Sequence, residues 1–255
     1  MYERLHFHQD PNKKILNAYL HGALLASREL LGDGGFAAVI KRAETYAPGM
    51  TAYLDERNWP AGDLDYQYPA RHYSALFQAV EEVGGGRSQL VAIGIRTSEM
   101  GLAGLGPSMK AALAVMKRLP GYRWRVEAIL SGMVQDMLDA APEEKNLNAI
   151  FLETDETRKV FRYVDRTGDI CHGRNGAKAP ICHVYRGGFI GAIKSVTGRI
   201  PRVREVTCMA AGDPACTFEI DFEPEGSEEM PLEDGREDRE SMPLASTSAT
   251  THAIR

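Results

Sequence analysis

Residues 204–220 read REVTCMAAGDPACTFEI, with two apolar, strand-like runs on either side of a tight turn at residues 211–214. Alternating apolar residues interrupted by Gly, Asp and Pro are typical of an antiparallel hairpin. On such a hairpin Cys208 and Cys216 are expected to face each other, with Cβ atoms roughly 5 Å apart. The two strands are predicted at residues 203–210 and 215–222.

Two further residues give this hairpin the chemistry of a metal site. Glu205 lies three residues before Cys208, and Cys182 lies in the first turn of a helix predicted from Pro180 to about residue 196. Three thiolates and one carboxylate make a closed, tetrahedral shell that suits structural zinc. The start of a helix also favours the thiolate form of a cysteine. The predicted zinc ligands are Cys182, Glu205, Cys208 and Cys216.

The predicted ligand set requires an irregular strand, and His172 is an alternative to one of its members. Residues three apart on a regular strand point to opposite faces, so Glu205 and Cys208 can share a metal only across a bulge or a strong local twist. His172, beside Cys171, is the main rival to Glu205, although the predicted set leaves Cys171 outside. Buried cysteines that act as small apolar residues are the alternative to any metal site.

Composition bounds the class of protein. The chain has 255 residues, 44% of them hydrophobic, and a net charge of −5. It opens with no apolar leader and contains no apolar run long enough for a membrane span, so we expect a cytoplasmic protein whose thiols stay reduced. The acidity is concentrated at residues 223–255, which are predicted to be a disordered tail. Nothing in the charge pattern indicates a nucleic-acid or membrane partner.

The order of elements predicts an α+β fold. Helical periodicity and glycine or proline stops place helices at residues 12–31, 36–47, 70–83, 88–102, 107–119 and 122–140, with a loop at 51–68. A strand hairpin follows at 149–153 and 158–164, then a loop, the cysteine helix and the last hairpin. We therefore expect a helical layer packed on a small antiparallel sheet.

The C-terminal motif resembles the V4R (4-vinyl reductase, or hydrocarbon-binding) domain family. The resemblance rests on a cysteine that opens a glycine-containing helix, then Glu-x-x-Cys, then Gly-Asp-Pro-x-Cys and an alternating strand, over residues 180–222. The residues are Cys182, Gly187, Gly188, Gly191, Glu205, Cys208, Gly212, Asp213, Pro214, Cys216, Phe218 and Ile220. The sensory domains of phenol- and xylene-responsive activators share this unit. The resemblance to them implies zinc held by the Cys, Glu, Cys, Cys set.

The same resemblance implies an architecture and a function. It implies one ligand-binding domain over residues 12–222, with a V4R core at about 122–222 and N-terminal helices at 12–119. This fold is shared with haem nitric oxide sensors and Golgi-tethering subunits, and it often dimerises through its helices. We expect a small apolar or aromatic ligand, a homodimer, and output through a separate effector. Aromatic residues considered for the ligand site are Phe151, Phe161, Tyr163, Tyr185 and Phe189, although residues of this kind are more often plain core.

Two other function classes stay open. The V4R name comes from vinyl reduction in bacteriochlorophyll synthesis, which suggests an accessory protein that binds a tetrapyrrole. A haem gas sensor would need an axial ligand, for which His72 and His183 are candidates by residue type only. The sequence shows no nucleotide fingerprint after a strand and no phosphate-cradling loop, and Gly84–Gly86 follows a helix. We therefore predict no independent catalysis.

Overall fold

The computed structural model describes residues 10–140 and 149–221. The predicted acidic tail at 223–255 lies outside the described residues. Within them, helices precede and pack against a small antiparallel sheet, so the predicted α+β class is confirmed. None of the helices in the described ranges is long and apolar enough to cross a membrane.

The helices and the strands of the main sheet follow the predicted order, but two short strands occur where none was predicted, and the first of them lies inside the helix predicted at residues 12–31. The helices are α1 (Asn17–Glu44), α2 (Ala70–Val83), α3 (Gly86–Gly104), α4 (Pro107–Arg118), α5 (Tyr122–Ala140) and α6 (His183–Thr197). The strands are β1 (Lys14–Leu16), β2 (Tyr66–Pro69), β3 (Ile150–Asp155), β4 (Val160–Asp165), β5 (Val203–Thr207) and β6 (Cys216–Asp221). The pair β1–β2 forms a short ribbon, and the main sheet has the antiparallel order β3-β4-β6-β5.

Several predicted boundaries are wrong for local reasons. The break expected at residues 32–35 is a single kink inside α1, where Gly32 has φ 67°. The predicted loop at 51–68 contains two 3-10 turns and β2. The strand predicted at residues 203–210 ends earlier, at Thr207, because Met209–Ala211 form a 3-10 turn. The cysteine helix begins at His183, so Cys182 is its N-cap residue rather than part of its first turn.

Helices α3 and α6 cross in very close contact. A Cβ atom placed on Gly187 would lie 2.1 Å from the carbonyl oxygen of Val91, and one on Gly191 would lie 2.9 Å from that of Ile95. Only glycine allows two backbones to approach this closely. Because both contacts advance in the same chain direction, the two helices run parallel and begin at the same end of the domain. The close contact is made by Gly187 and Gly191, whereas an added Cβ on Gly188 would meet open space.

Aromatic side chains fill the space between α6 and the sheet. The rings of Tyr163 on β4 and Phe189 on α6 have centroids 4.8 Å apart, and Phe189 lies 5.2 Å from Phe218 on β6. All three side chains are almost fully buried. Edge-to-face and tilted aromatic pairs at these distances stabilise beyond their buried area alone. This stack fixes α6, and with it Cys182, over the sheet.

Candidate metal centre and aromatic interior

Four cysteine side chains converge at one end of the sheet, and we call them the sulfur cluster. Cys171 comes from the turn after β4, Cys182 from the N-cap of α6, Cys208 from the residue after β5, and Cys216 from the start of β6. Their four Sγ atoms all lie within 4.8 Å of one another, and all four residues are buried. They are free thiols rather than disulfides. The structure therefore brings together the three predicted cysteines and adds Cys171.

The spacing of these sulfur atoms fits a tetrahedral metal site. The Sγ–Sγ distances are 3.6 Å for Cys171–Cys216, 3.7 Å for Cys182–Cys216 and 3.8 Å for Cys182–Cys208. A tetrahedron with metal–sulfur bonds of about 2.3 Å has edges of about 3.8 Å. The edges of the sulfur cluster match that value. Four thiolates in this arrangement can hold one metal ion.

The protonation of the sulfur cluster explains why a cation suits it. Hydrogen bonding with Cys171 and the other thiols raises the pKa of Cys182 well above its usual range. The same kind of contacts, again led by Cys171, lower the pKa of Cys208. Without a counter-charge the four thiols cannot all be ionised, because four buried negative charges would repel one another. A divalent cation in the centre removes that penalty.

Glu205 lies beside the sulfur cluster at the start of α6. Its Oε2 atom accepts a hydrogen bond from the backbone N–H of Cys182, at 2.7 Å. The register between β5 and β6 shifts between Glu205 and Thr207, so the required bulge is present. Burial, followed by the charge of Cys208, raises the pKa of Glu205 to about 9, and its Oε1 atom is buried with no hydrogen-bond partner among the described residues. Whether Glu205 or Cys171 is the fourth ligand stays a prediction.

Backbone turns position three of the cysteines. The Asp213 carboxylate accepts a hydrogen bond from the Cys208 N–H at 2.8 Å, and the Met209 N–H points at Cys216 Sγ at 3.5 Å. The turn that carries Cys171 needs Gly173 at φ 68°. The sequence pattern does not indicate Cys171, because neither the hairpin nor the V4R resemblance places it beside the other three cysteines. One feature of the sequence does hint that Cys171 joins the site: it is the one cysteine left over, and glycines at 168 and 173 flank it.

The aromatic residues considered for a ligand site fall into two groups. Tyr163, Tyr185 and Phe189 belong to the interior stack, and Phe161 is buried in the same core. Phe151 instead lies partly exposed on β3, with the guanidinium group of Arg166 5.0 Å above its ring. The structure thus separates Phe151 from the other four.

Phenolic hydroxyl groups make part of this interior polar. The Tyr185 hydroxyl is buried with no hydrogen-bond partner among the described residues, and that of Tyr163 donates only to the sulfur of Met137, at 2.9 Å. Burial raises the pKa of both phenols well above their usual range, so both stay protonated. A cavity of about 10 Å³, just enough to hold one water molecule, lies nearby. Its lining includes Tyr19, Met137 and Asp169.

The two histidines considered as haem ligands lie in different places. His72 Nδ1 is 2.8 Å from the Tyr53 hydroxyl, under the 3-10 turn that follows α1. His183 is the first residue of α6, and burial lowers its pKa. His172, the rival metal ligand, is buried, and its carbonyl oxygen accepts a hydrogen bond from Arg71 Nη1 at 2.8 Å.

Comparison with known proteins agrees with the motif. No curated protein matches the chain. Among solved structures, the chain is similar to the phenol-responsive sensory domain of the transcription activator PoxR, determined with phenol. The match has 16% sequence identity and a TM-score of 0.34, and it covers 62% of this chain and 77% of that chain. The V4R domain family matches residues 167–222, the segment that holds all four cysteines, and this confirms the predicted resemblance to V4R domains over that segment.

Proposed function

We propose that this protein binds a small apolar or aromatic molecule in a sensory role, in a domain held together by structural zinc. The observation that carries the proposal is the set of buried phenolic hydroxyls, without strong hydrogen-bond partners, between α6 and the sheet. Ligand sites are mostly apolar, with a few polar groups that orient the ligand. The interior stack has this composition.

The proposed zinc site is closed and structural. Four thiolates at tetrahedral spacing leave no open position for substrate or water, so the metal would fix the fold rather than activate a reactant. It would join the turn after β4, the start of α6 and the last two strands. The side chain of Glu205 would then hold the start of α6 in place through the hydrogen bond that its Oε2 atom accepts from the Cys182 N–H.

Ligand entry would require movement near the small cavity. A volume of about 10 Å³ holds one water and not an aromatic ring. Met137, in the last turn of α5, covers the Tyr163 hydroxyl and lines that cavity. Because methionine is flexible and α5 is only partly buried in its last two turns, displacement of Met137 is the simplest way to enlarge the space.

Ligand binding can be tested by native mass spectrometry of the purified protein, followed by thermal unfolding with phenol, indole and toluene. We expect a bound small molecule, or stabilisation by at least one probe. Met137→Trp, which fills the cavity, should abolish the stabilisation. Val115→Trp on the exposed side of α4 is the matched control and should keep it. Absence of any bound molecule and of any stabilisation would contradict the proposed ligand-binding function.

A further inference from the structure

A second group of charged side chains lies where α3 and α6 begin, away from the aromatic interior. We call it the arginine cluster, and it consists of Arg87 at the start of α3, Arg174 in the turn after Cys171, and Arg186 in the first turns of α6. His183 lies among them. Val91 on α3 lies against Gly187 on α6, so Arg87 on α3 lies at the level of His183 on α6, one turn earlier in each helix. Arg186 follows His183 by three residues on the same helix, and Arg87 and Arg174 both approach the carboxylate of Glu81.

The cations of the arginine cluster exceed the acidic groups that face them. Glu81 on α2 is the carboxylate that pairs with the cluster: Arg174 Nη2 is 2.8 Å from Glu81 Oε2, and Arg87 Nε is 3.9 Å from Oε1. Arg186 forms no ion pair with a described residue. Among the described residues, one carboxylate thus pairs with two of the three arginines and none pairs with Arg186.

Several donors in the cluster are buried without acceptors. Arg174 Nη1, Arg186 Nε and His183 Nε2 are each inaccessible to solvent and have no hydrogen-bond partner among the described residues. Buried guanidinium nitrogens are nearly always hydrogen-bonded, because a buried donor without an acceptor loses its hydrogen bonds to water and gains none in return. The guanidinium nitrogens can only donate, so the missing group is an acceptor.

The two helices add to the positive potential. Because α3 and α6 run parallel and start at the same end, the positive ends of both dipoles meet beside the cluster. Neither helix has an acidic residue in its first turn, and no side chain caps either one. Glu205 accepts the Cys182 N–H on the side of the sulfur cluster. Arginines at the positive end of a helix are unfavourable unless an anion accompanies them.

A further arginine holds this arrangement in place. Arg71, at the start of α2, donates to the carbonyl oxygen of His172 and packs against Gly173, where an added Cβ would lie 3.1 Å from Nη1. Burial and then the charge of Arg174 lower the pKa of Arg71. The turn that carries Arg174 is therefore fixed from one side by Arg71 and from the other by Cys171 of the sulfur cluster.

We propose that the arginine cluster is a binding site for a phosphate group, either free phosphate or the phosphate of a small phosphate ester. A phosphate offers several strong acceptor atoms to converging donors, and guanidinium groups bind it in a bidentate manner. The site is separate from the aromatic interior and does not depend on the proposed ligand there.

The test is thermal unfolding and calorimetric titration of the full chain with inorganic phosphate and with glycerol 3-phosphate, against chloride at equal ionic strength. We expect phosphate to stabilise the wild-type protein and Arg186→Gln to weaken binding by about tenfold or more. Preference for the ester would identify a bound metabolite as the source, and equal binding would identify the free ion. Arg118→Gln, which removes an exposed arginine at the end of α4, is the matched control and should bind as the wild type does.

Arg186→Gln separates a binding role from a structural one. Because Arg186 has no ion pair with a described residue to lose, its substitution should leave the unfolding temperature in chloride unchanged or slightly raised. A wild-type protein that phosphate stabilises no more than chloride would overturn the proposal. So would an Arg186→Gln variant that binds phosphate as tightly as the Arg118→Gln control.

Discussion

Helices α4 and α6 show two different ways in which this chain is held. Helix α6 buries Val184, Phe189, Ile193 and Val196, begins at a member of the sulfur cluster, and touches the backbone of α3 through glycines. Helix α4 has no fully buried residue, and only Leu113 and Met116 pack partly against the core. Helix α6 is held by specific contacts of its buried side chains, its glycines and Cys182, whereas α4 is held only by an apolar stripe. Substitutions should therefore be costly around α6 and mild on α4.

The largest effect is expected from loss of the proposed metal. Cys208→Ser should reduce zinc from about one ion per chain to almost none. It should lower stability by about 4 kcal/mol or more, or roughly 10 °C in unfolding temperature. Metal analysis and thermal unfolding measure both, and chelation of the wild-type protein should reproduce the shift. Val206→Ala, at an exposed neighbour of Cys208, is the control and should keep its zinc. A stable, zinc-free wild-type protein would refute the metal site.

A pair of variants distinguishes the two possible ligand sets. If four thiolates bind the metal, Cys171→Ser should lose zinc and Glu205→Gln should retain it, because the amide oxygen of the new side chain can still accept the Cys182 N–H. The Cys, Glu, Cys, Cys set predicts the reverse. Metal content of the two proteins, purified in parallel, gives the answer. If Cys171→Ser retains its zinc, the fourth metal ligand is Glu205 rather than Cys171.

The next largest effects should come from truncation of core residues, one packed against α6 and one on α4. Phe218→Ala removes a fully buried ring that contacts Phe189 and Tyr185, and should cost about 3–5 kcal/mol. Leu113→Ala on α4 removes a partly buried side chain and should cost about 1 kcal/mol. Chemical denaturation measures both. Equal costs would mean that α4 is packed as tightly as the sheet.

The crossing of α3 and α6 gives a prediction with an internal control. In Gly187→Ala the new Cβ would lie 2.1 Å from the Val91 carbonyl oxygen, so the helices must separate, at about 3 kcal/mol. In Gly188→Ala the methyl group meets open space, and the better helix propensity of alanine should add about 0.5–1 kcal/mol. Unfolding of the two variants should therefore shift in opposite directions. A neutral Gly187→Ala would contradict the close crossing.

The smallest effect concerns pH. Burial, and then the charge of Asp169, raises the pKa of Asp165 to about 6. A carboxyl whose pKa is raised by folding binds a proton more tightly in the native state, so its contribution to stability falls as pH rises through that value. Asp165→Asn can still accept the N–H of Thr167, at 2.6 Å in the wild type. Relative to the wild type it should gain about 1 kcal/mol between about pH 5 and pH 7.5. A constant difference across that range would show that Asp165 does not titrate there.

The sequence predicted the features that depend on local pattern. Period and glycine stops placed α2 and α5 within a residue or two, and the Gly-Asp-Pro turn placed Cys216 at the start of its strand. The bulge at Val206 followed from the need for Glu205 and Cys208 to approach the same site. The position of Cys171 beside the other three cysteines was not predictable in this way, because the turn that carries it contacts the hairpin only through tertiary packing. For the same reason the crowding of arginines from three separate segments had no sequence signal.

X-ray absorption at the zinc edge of the purified protein tests the central claim most directly. We predict about four sulfur neighbours at about 2.3 Å and no lighter atom bonded to the metal. Three sulfurs with one oxygen at about 2.0–2.2 Å would place Glu205 on the metal and contradict the four-thiolate site. Absence of a zinc signal would contradict the metal centre altogether.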